Sequence, residues 1–147
     1  MTKHRTGALA IGVLALALFA SGCTSVLSID VGQCFNDWEG AEDLEVQQVT
    51  ELDIVDCNEP HDNEVYRIFD LPDGAFPGPD AINASVVTQC DAGFDLYVGT
   101  PYADSRFVYG ALFPTEESWA ASDREIVCFL WDIEFLKLTG SMENSRL

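Results

Sequence analysis

The chain has 147 residues, with 25 acidic side chains against seven basic ones and a formal net charge of −18. This acidity repels nucleic-acid phosphates and anionic lipid head groups. It therefore excludes nucleic-acid binding and membrane attachment through a basic patch. Because 48% of the residues are hydrophobic and the acidic residues are dispersed, we predict a folded domain rather than a disordered acidic chain.

Residues 1–22 are predicted to be a lipoprotein signal peptide. A short basic head, KHR, precedes an apolar run over residues 7–20, which is too short for a membrane-spanning helix of about 20 apolar residues. The run ends in LFASGC, which resembles a bacterial lipobox and puts Cys23 at the cleavage point. We therefore expect acyl chains such as palmitate on Cys23 and a lipid anchor on the extracytoplasmic face of the cell membrane. An ordinary secretory signal is the alternative.

The predicted mature chain divides into a short tether over 23–30, one domain over 31–141 and a frayed tail over 142–147. All 25 acidic residues lie in it, against five basic ones, a difference of −20. Its length suits one domain with its own core.

Four cysteines remain after Cys23, and an even number in an exported domain predicts two disulfides. Three pairings are compatible with the sequence, and we expect the sequence neighbours to pair, Cys34 with Cys57 and Cys90 with Cys128. Each bond would stabilise the fold by roughly 3–4 kcal/mol. Cys-x-x-Cys and zinc-ligand spacings are both missing, so we predict no thiol-redox site, no metal and no cofactor.

Strand-like and turn-like segments alternate along the domain. A stretch rich in proline and glycine over 72–79 predicts a surface loop. β-branched and aromatic residues predict strands over residues 31–35, 46–56, 64–71, 107–113 and 124–135, with one further edge strand near the C-terminal end.

A long helix is predicted over about residues 80–98, with Asp80 as its N-cap and Gly99 as its stop. Its apolar residues recur every three or four positions and so share one face. They are Ile82, Val86, Cys90, Phe94 and Tyr97. Because Cys90 lies on this face, a bond to Cys128 in a predicted strand would join the helix to the sheet.

A short helix is predicted near residues 115–121, with Thr115 as its cap and two glutamates in its first turn. The resulting pattern is α+β: an antiparallel sheet packed against one long helix, with a second short helix and two disulfides.

The strand predicted over 124–135 is apolar on both faces. One face carries Ile126, Cys128 and Leu130, and the other carries Val127, Phe129, Trp131 and Ile133. If the helix covers the first face, we expect loops or a curl of the sheet to cover the second. A partner-binding patch centred on Phe129 and Trp131 is the alternative.

The stretch VDCNEPHDNEVY, residues 55–66, concentrates groups that bind metals or transfer protons. His61, Asp62 and Glu64 offer an imidazole and two carboxylates to a metal-assisted enzyme. However, His61 is the only histidine of the predicted mature chain, and a catalytic zinc ion needs three protein ligands. The enzyme hypothesis is therefore the weakest of those considered.

A structural role also accounts for this stretch. Pro60 fixes the chain after Cys57. His61 is then expected to hydrogen-bond to the backbone or to pair with Asp123 or another carboxylate. Asp123 and Arg124 are expected to pair across the sheet.

Five ordered segments resemble those of a known family. They are VGQCF (31–35), VDCNEPHDNEVY (55–66), CDAGFDLYVG (90–99), PTEESWAASDREIVCFL (114–130) and LTGSM (138–142). By these segments the domain is similar to the septum formation family of exported or membrane-anchored actinobacterial proteins. Ser122 stands where the family usually has glycine. This difference raises the question of whether the turn keeps the family's backbone conformation, and it does not affect membership. The resemblance implies a role in cell division and an extracytoplasmic location, and it carries over no catalytic activity.

Three functions are compatible with the sequence. We predict a non-enzymatic envelope lipoprotein that acts through contacts with an envelope or division protein or a cell-wall component. The candidate binding residues are His61, Glu64, Trp119, Asp123 and Arg124. A ligand-binding or sensory domain is the first alternative, and its pocket would be lined by Tyr66, Tyr102, Tyr109 and Trp119. A metal-assisted enzyme centred on His61 is the second.

Overall fold

A computed structural model describes residues 28–37, 49 and 51–147 of the chain. The predicted signal peptide and Cys23 lie outside the described residues, as do residues 46–48 and 50 of the strand predicted over 46–56. The described strands form one antiparallel sheet in the order β2-β1-β3-β5-β4. Their bounds are β1 Cys34–Asn36, β2 Asp53–Val55, β3 Asn63–Asp70, β4 Phe107–Leu112 and β5 Glu125–Asp132.

Within the described residues the sheet is accompanied by α1 over Pro79–Val98, α2 over Glu116–Ala120 and a 3₁₀ turn at Tyr102–Asp104. Thr115 caps α2 through a reciprocal pair of hydrogen bonds with Ser118, as its position before two glutamates predicted. The predicted α+β fold is confirmed.

The ends of α1 follow backbone preferences more than side-chain capping. Gly78 is the N-cap and Pro79 the first helical residue, so the predicted cap at Asp80 is wrong, and Asp80 lies in the first turn instead. Proline suits the first helical position because its missing N–H has no partner to lose there. The predicted stop is confirmed: Gly99 adopts the left-handed conformation, with φ of 79°.

Several strand boundaries differ from prediction for local reasons. The segment 31–35 begins with a turn in which Gly32 has φ of +88°, so β1 starts only at Cys34. The strand predicted over 124–135 ends at Asp132, because the Asp132 side chain accepts the backbone N–H of Glu134 and turns the chain. The predicted C-terminal edge strand is reduced to an isolated bridge between His61 and Leu138.

Both faces of the sheet are covered. Helix α1 packs its buried residues, including Ile82, Cys90 and Phe94, against the face that carries Ile126 and Leu130. The second core cluster consists of Ile29, Phe35, Leu52, Val65, Val127 and Phe129. Phe129 is 8% exposed and the partly buried Trp131 packs against this cluster, which agrees with the expectation that this face is covered and disagrees with the alternative of a partner-binding patch. Segments outside the sheet cover this face instead.

The described residues contain the two predicted disulfides, Cys34–Cys57 and Cys90–Cys128. The second joins α1 to β5, as expected from the apolar face of the helix.

The predicted tail over 142–147 is attached to the end of α1 rather than frayed. The backbone N–H groups of Asn144 and Arg146 donate to the carbonyls of Tyr97 and Val98, and Met142 is buried. Among the described helices, none combines the length and the apolar character needed to cross a membrane.

Candidate functional site

Three side chains with metal-binding chemistry meet where β1 pairs with β3. Cys34 and Glu64 are opposite each other in the strand register, and His61 lies just before β3. The ligand atoms of all three lie within 4.8 Å of one another, and each residue is completely buried. We call them the Cys34–His61–Glu64 cluster. The sequence singled out His61 and Glu64, whereas Cys34 was assigned only to a disulfide.

Glu64 is a buried carboxylate held by donors from two distant parts of the chain. Its Oε1 accepts the hydroxyls of Tyr97 and Ser141, each at 2.6 Å, and its Oε2 accepts the backbone N–H of Met142 at 2.7 Å. Charge-assisted hydrogen bonds of this kind stabilise a carboxylate removed from water. Glu64 therefore joins β3 to the end of α1 and to the C-terminal segment.

His61 is fixed in place but incompletely satisfied. Its backbone forms the bridge with Leu138, and its Nδ1 lies 2.9 Å from the carbonyl oxygen of Glu59. The predicted hydrogen bond to the backbone is thus confirmed, whereas the predicted partner Asp123 accepts the N–H of Glu125 instead. Within the described part of the chain, His61 Nε2 is buried and has no hydrogen-bond partner.

Asp62 points away from the cluster toward the surface. Its Oδ2 accepts Lys137 Nζ at 2.7 Å and the backbone N–H of Asp37 at 3.0 Å. Partial burial raises its pKa. The hydrogen bonds from Lys137 and Asp37, together with the nearby charge of Lys137, outweigh this effect and lower the pKa below its usual value. Asp62 is therefore engaged in a surface ion pair.

The remaining candidate residues lie at the opposite end of β5. Glu64 pairs with Leu130, whereas Arg124 precedes the first residue of that strand, a separation of roughly 20 Å along an extended chain. The Arg124 guanidinium stacks 3.8 Å above the Trp119 ring and contacts Asp73 at 3.3 Å. The predicted Asp123–Arg124 pair across the sheet is wrong, since Arg124 Nη1 donates to the backbone carbonyls of Trp119 and Asp123 and not to the Asp123 carboxylate. The five candidates therefore form two separate groups.

The tyrosines proposed to line a pocket pack on one another instead. The Tyr66 and Tyr109 ring centroids are 6.3 Å apart, and those of Tyr102 and Tyr109 are 4.8 Å apart. Trp119 packs against Phe76 and donates to the carbonyl of Gly74. These rings belong to the first core cluster, so they build the fold.

An exposed apolar turn follows β5, and sequence reasoning missed it because Ile133 and Phe135 were placed in the strand. Ile133, Phe135 and Leu136 are 57%, 80% and 52% exposed, and Phe135 has φ of +57°. The turn is fixed at its base, where the buried Asp132 carboxylate binds the guanidinium of Arg106 and the N–H of Glu134. We call residues 133–136 the apolar turn.

A family model described as septum formation matches residues 31–145, most of the chain. The chain belongs to the septum formation family. No curated protein and no solved structure matches it. Membership suggests a role related to cell division.

Four of the five segments that resemble this septum formation family meet at the Cys34–His61–Glu64 cluster. VGQCF supplies Cys34, and VDCNEPHDNEVY supplies His61 and Glu64. The helical segment supplies Tyr97, and LTGSM supplies Ser141. The fifth segment supplies the Trp119–Arg124 stack and Cys128. The segments by which the domain is identified therefore converge around Glu64 in space.

Proposed function

We propose that this septum formation protein is a lipid-anchored, non-enzymatic binding module of the cell envelope. Its apolar turn would be the surface that contacts a protein partner. The observation that carries this proposal is the turn itself, which exposes three large apolar side chains within four residues. Contiguous exposed apolar surface of this kind is typical of interaction sites.

The backbone conformation of the apolar turn is held by hydrogen bonds within the protein itself. A non-glycine residue at positive φ costs free energy, and Phe135 keeps that conformation while 80% exposed. The Phe135 N–H donates to the Asp132 carbonyl, and the Ile133 N–H donates to the Arg106 carbonyl. A rigid turn loses little conformational entropy when it is bound, which favours affinity.

Charge points to a protein partner with basic residues around an apolar recess. The predicted mature chain is strongly acidic, and the exposed Glu134 lies within the apolar turn. Nearby cations are already paired, Arg106 with Asp132 and Lys137 with Asp62. An anionic lipid surface would be repelled, so the turn suits a complementary protein surface better than a membrane.

The Cys34–His61–Glu64 cluster does not support the metal-assisted enzyme hypothesis. Cys34, His61 and Glu64 are each completely buried, so a substrate has no access to their ligand atoms. Catalytic zinc sites keep a position open to water or substrate.

The test is the subcellular position of a fluorescent fusion of the full chain. We expect the wild type to concentrate at septa and to restore division in a deletion strain. The triple variant Ile133→Ser, Phe135→Ser, Leu136→Ser should remain in the membrane fraction but lose both properties. A matched control, Val87→Ser with Leu96→Ser, removes exposed apolar side chains from α1 and should behave as the wild type.

Two further variants separate the parts of the proposal. Cys23→Ser should release the protein from lipid attachment, and Glu134→Lys should weaken septal recruitment by reversing the charge of the turn. Uniform envelope fluorescence of the wild type, together with normal division of the deletion strain, would contradict the septal role. Binding of the purified protein to anionic vesicles that requires Phe135 would contradict a protein partner.

A further inference from the structure

We infer that the Cys34–His61–Glu64 cluster is a zinc site that the Cys34–Cys57 disulfide keeps closed. When that bond is reduced, the Cys34 thiolate, His61 Nε2 and a Glu64 oxygen would bind Zn²⁺, with the Cys57 thiolate as fourth ligand. Cys34 Sγ, one imidazole nitrogen of His61 and a Glu64 oxygen already lie within 4.8 Å of one another. In tetrahedral zinc sites with bonds of about 2.0–2.3 Å, ligand atoms lie roughly 3.5 Å apart, so a small contraction suffices.

His61 has the hydrogen bonding expected of a zinc ligand without its metal: one ring nitrogen is bonded to a backbone carbonyl and the other has no partner among the described residues. A carbonyl oxygen only accepts, so Nδ1 carries the proton that is donated to Glu59. In the neutral imidazole, Nε2 is then a bare acceptor, and it is buried without a partner among the described residues. Zinc-bound histidines commonly donate their other ring N–H to a backbone carbonyl, which fixes the tautomer. A zinc ion on Nε2 would remove the desolvation cost of the unpaired atom.

Glu64 has the outer contacts expected of a ligand carboxylate. The hydroxyls of Tyr97 and Ser141 and the Met142 N–H orient it, as outer-shell donors do in metal sites. The combination of sulfur, nitrogen and oxygen ligands suits zinc, whereas magnesium and calcium prefer oxygen alone.

The two disulfides differ in their accessibility to a reductant. Both Cys90 and Cys128 are completely buried, whereas Cys57 is partly exposed while its partner Cys34 is buried. Of the four disulfide cysteines, only Cys57 has any exposed surface, so we expect a thiolate from solvent to attack its Sγ first. Exchange requires access to the sulfur that is attacked, so reduction should be selective.

The exchange balances with a dithiol as the reductant. A dithiol thiolate attacks Cys57 Sγ, a mixed disulfide forms, and the Cys34 sulfur leaves as a thiolate into the cluster. The second dithiol sulfur, as its thiolate, then displaces Cys57. Two electrons pass from the dithiol to the protein disulfide, and the dithiol becomes a disulfide. Zinc takes the place of the protons that the two cysteine thiols would otherwise hold.

The experiment measures zinc in the full chain carrying Cys23→Ser, purified in detergent and freed of excess metal. After mild dithiol treatment, we expect alkylation at Cys34 and Cys57 with Cys90–Cys128 intact. The reduced protein should hold one zinc per chain, and the oxidised protein should hold none. Cobalt(II) in place of zinc should give thiolate-to-cobalt charge-transfer absorption, and His61→Gln should remove it.

A matched pair of variants isolates the ligand from the loss of the disulfide. Cys57→Ser and Cys34→Ser remove the same bond, and each frees one sulfur. Cys57→Ser leaves Cys34 beside His61 and Glu64 and should bind zinc without any reductant. Cys34→Ser leaves only the partly exposed Cys57 and should bind at least tenfold more weakly.

Three results would overturn the zinc site. One is equal zinc binding by Cys34→Ser and Cys57→Ser, and another is zinc binding by the reduced wild type that survives His61→Gln. The third is a reduced protein that holds no zinc. If reduction unfolds the chain, zinc added to it should restore the native far-ultraviolet circular dichroism, and an unfolded chain in the presence of zinc contradicts the proposal equally.

Discussion

Tyr97 donates its phenolic hydroxyl to the Glu64 carboxylate across 2.6 Å, which ties the last turn of α1 to the beginning of β3. Burial raises the pKa of Tyr97 well above its ordinary value, and the hydrogen bond to Glu64 raises the pKa further. The hydroxyl is therefore protonated, and a donor, at neutral pH.

Tyr97→Phe should lower the free energy of unfolding by about 1–2 kcal/mol. The change removes one donor from a buried carboxylate and leaves the ring in place, and hydrogen bonds to charged groups contribute about 1.5–3 kcal/mol when fully buried. Urea unfolding at neutral pH measures the difference. Tyr109→Phe, which removes a hydroxyl from the same aromatic group but not from Glu64, is the control. An equal loss in both variants would contradict a special role for the Tyr97–Glu64 bond.

The elements that the sequence predicted best are those with a local signal. The apolar period of α1 and the even number of cysteines gave the helix and both disulfides. The predicted start of β1 and the predicted end of β5 were wrong because one backbone angle or one side chain decides each of them. Gly32 delays β1 through its positive φ, and Asp132 ends β5 by accepting the N–H of Glu134.

The cluster was only half predictable because its members come together through long-range pairing. His61 and Glu64 share one short segment, but Tyr97 and Ser141 are 33 and 77 residues from Glu64. Cys34 faces Glu64 only because β1 pairs with β3 in one particular register. A single sequence carries no local signal for that register.

The Arg106–Asp132 ion pair should make stability depend on pH in the acid range. Burial raises the pKa of Asp132, but the N–H of Glu134 and the guanidinium of Arg106 outweigh burial and lower the pKa below its usual value. A carboxylate whose pKa is lower in the folded than in the unfolded state contributes its full stabilisation when the pH is above the unfolded-state pKa. For Asp132 that unfolded-state pKa is close to 3.8. This contribution is lost as the pH falls through the lower folded-state value.

Asp132→Asn should therefore cost about 1–2 kcal/mol at pH 7, since Arg106 is half-exposed and part of its charge is solvated. The difference from the wild type should shrink as the pH falls below about 4. Urea unfolding from pH 7 down to pH 2 measures it, with the exposed Asp104→Asn as control. A difference that stays constant over this range would show that charge is not its source.

Ser122→Gly should stabilise the protein by about 0.5–1 kcal/mol. Ser122 occupies the family's usual glycine position and keeps a glycine-like backbone, with φ of +76°. Left-handed geometry costs a non-glycine residue about 1–2 kcal/mol, and part of the relief is offset by the greater freedom of glycine in the unfolded chain. Thermal unfolding should show a midpoint higher by about 2–5 °C. Ser122→Ala keeps the strained conformation and should not raise the midpoint, so equal gains would exclude backbone strain as the cause.

Gly93→Ala should destabilise the protein, although alanine is the better helix former by about 1 kcal/mol. Gly93 is buried in α1, and an added Cβ would lie 2.5 Å from Arg67 Cδ and 3.3 Å from Arg67 Cβ on β3. Arg67 is also held by a 2.6 Å hydrogen bond to Gln89, so it does not move aside freely. Overpacking of this kind costs about 1–3 kcal/mol, enough to exceed the gain in propensity.

A double-mutant cycle identifies the source of the Gly93→Ala effect. In an Arg67→Ala background the 2.5 Å clash with Cδ is gone and only the 3.3 Å contact with Cβ remains, so Gly93→Ala should cost much less, with a coupling of at least about 1 kcal/mol between the two sites. Asn83→Ala, at an exposed position of α1, measures helix propensity alone and should stabilise slightly. If Gly93→Ala destabilises equally in both backgrounds, close approach of α1 to Arg67 is not what requires glycine at this position.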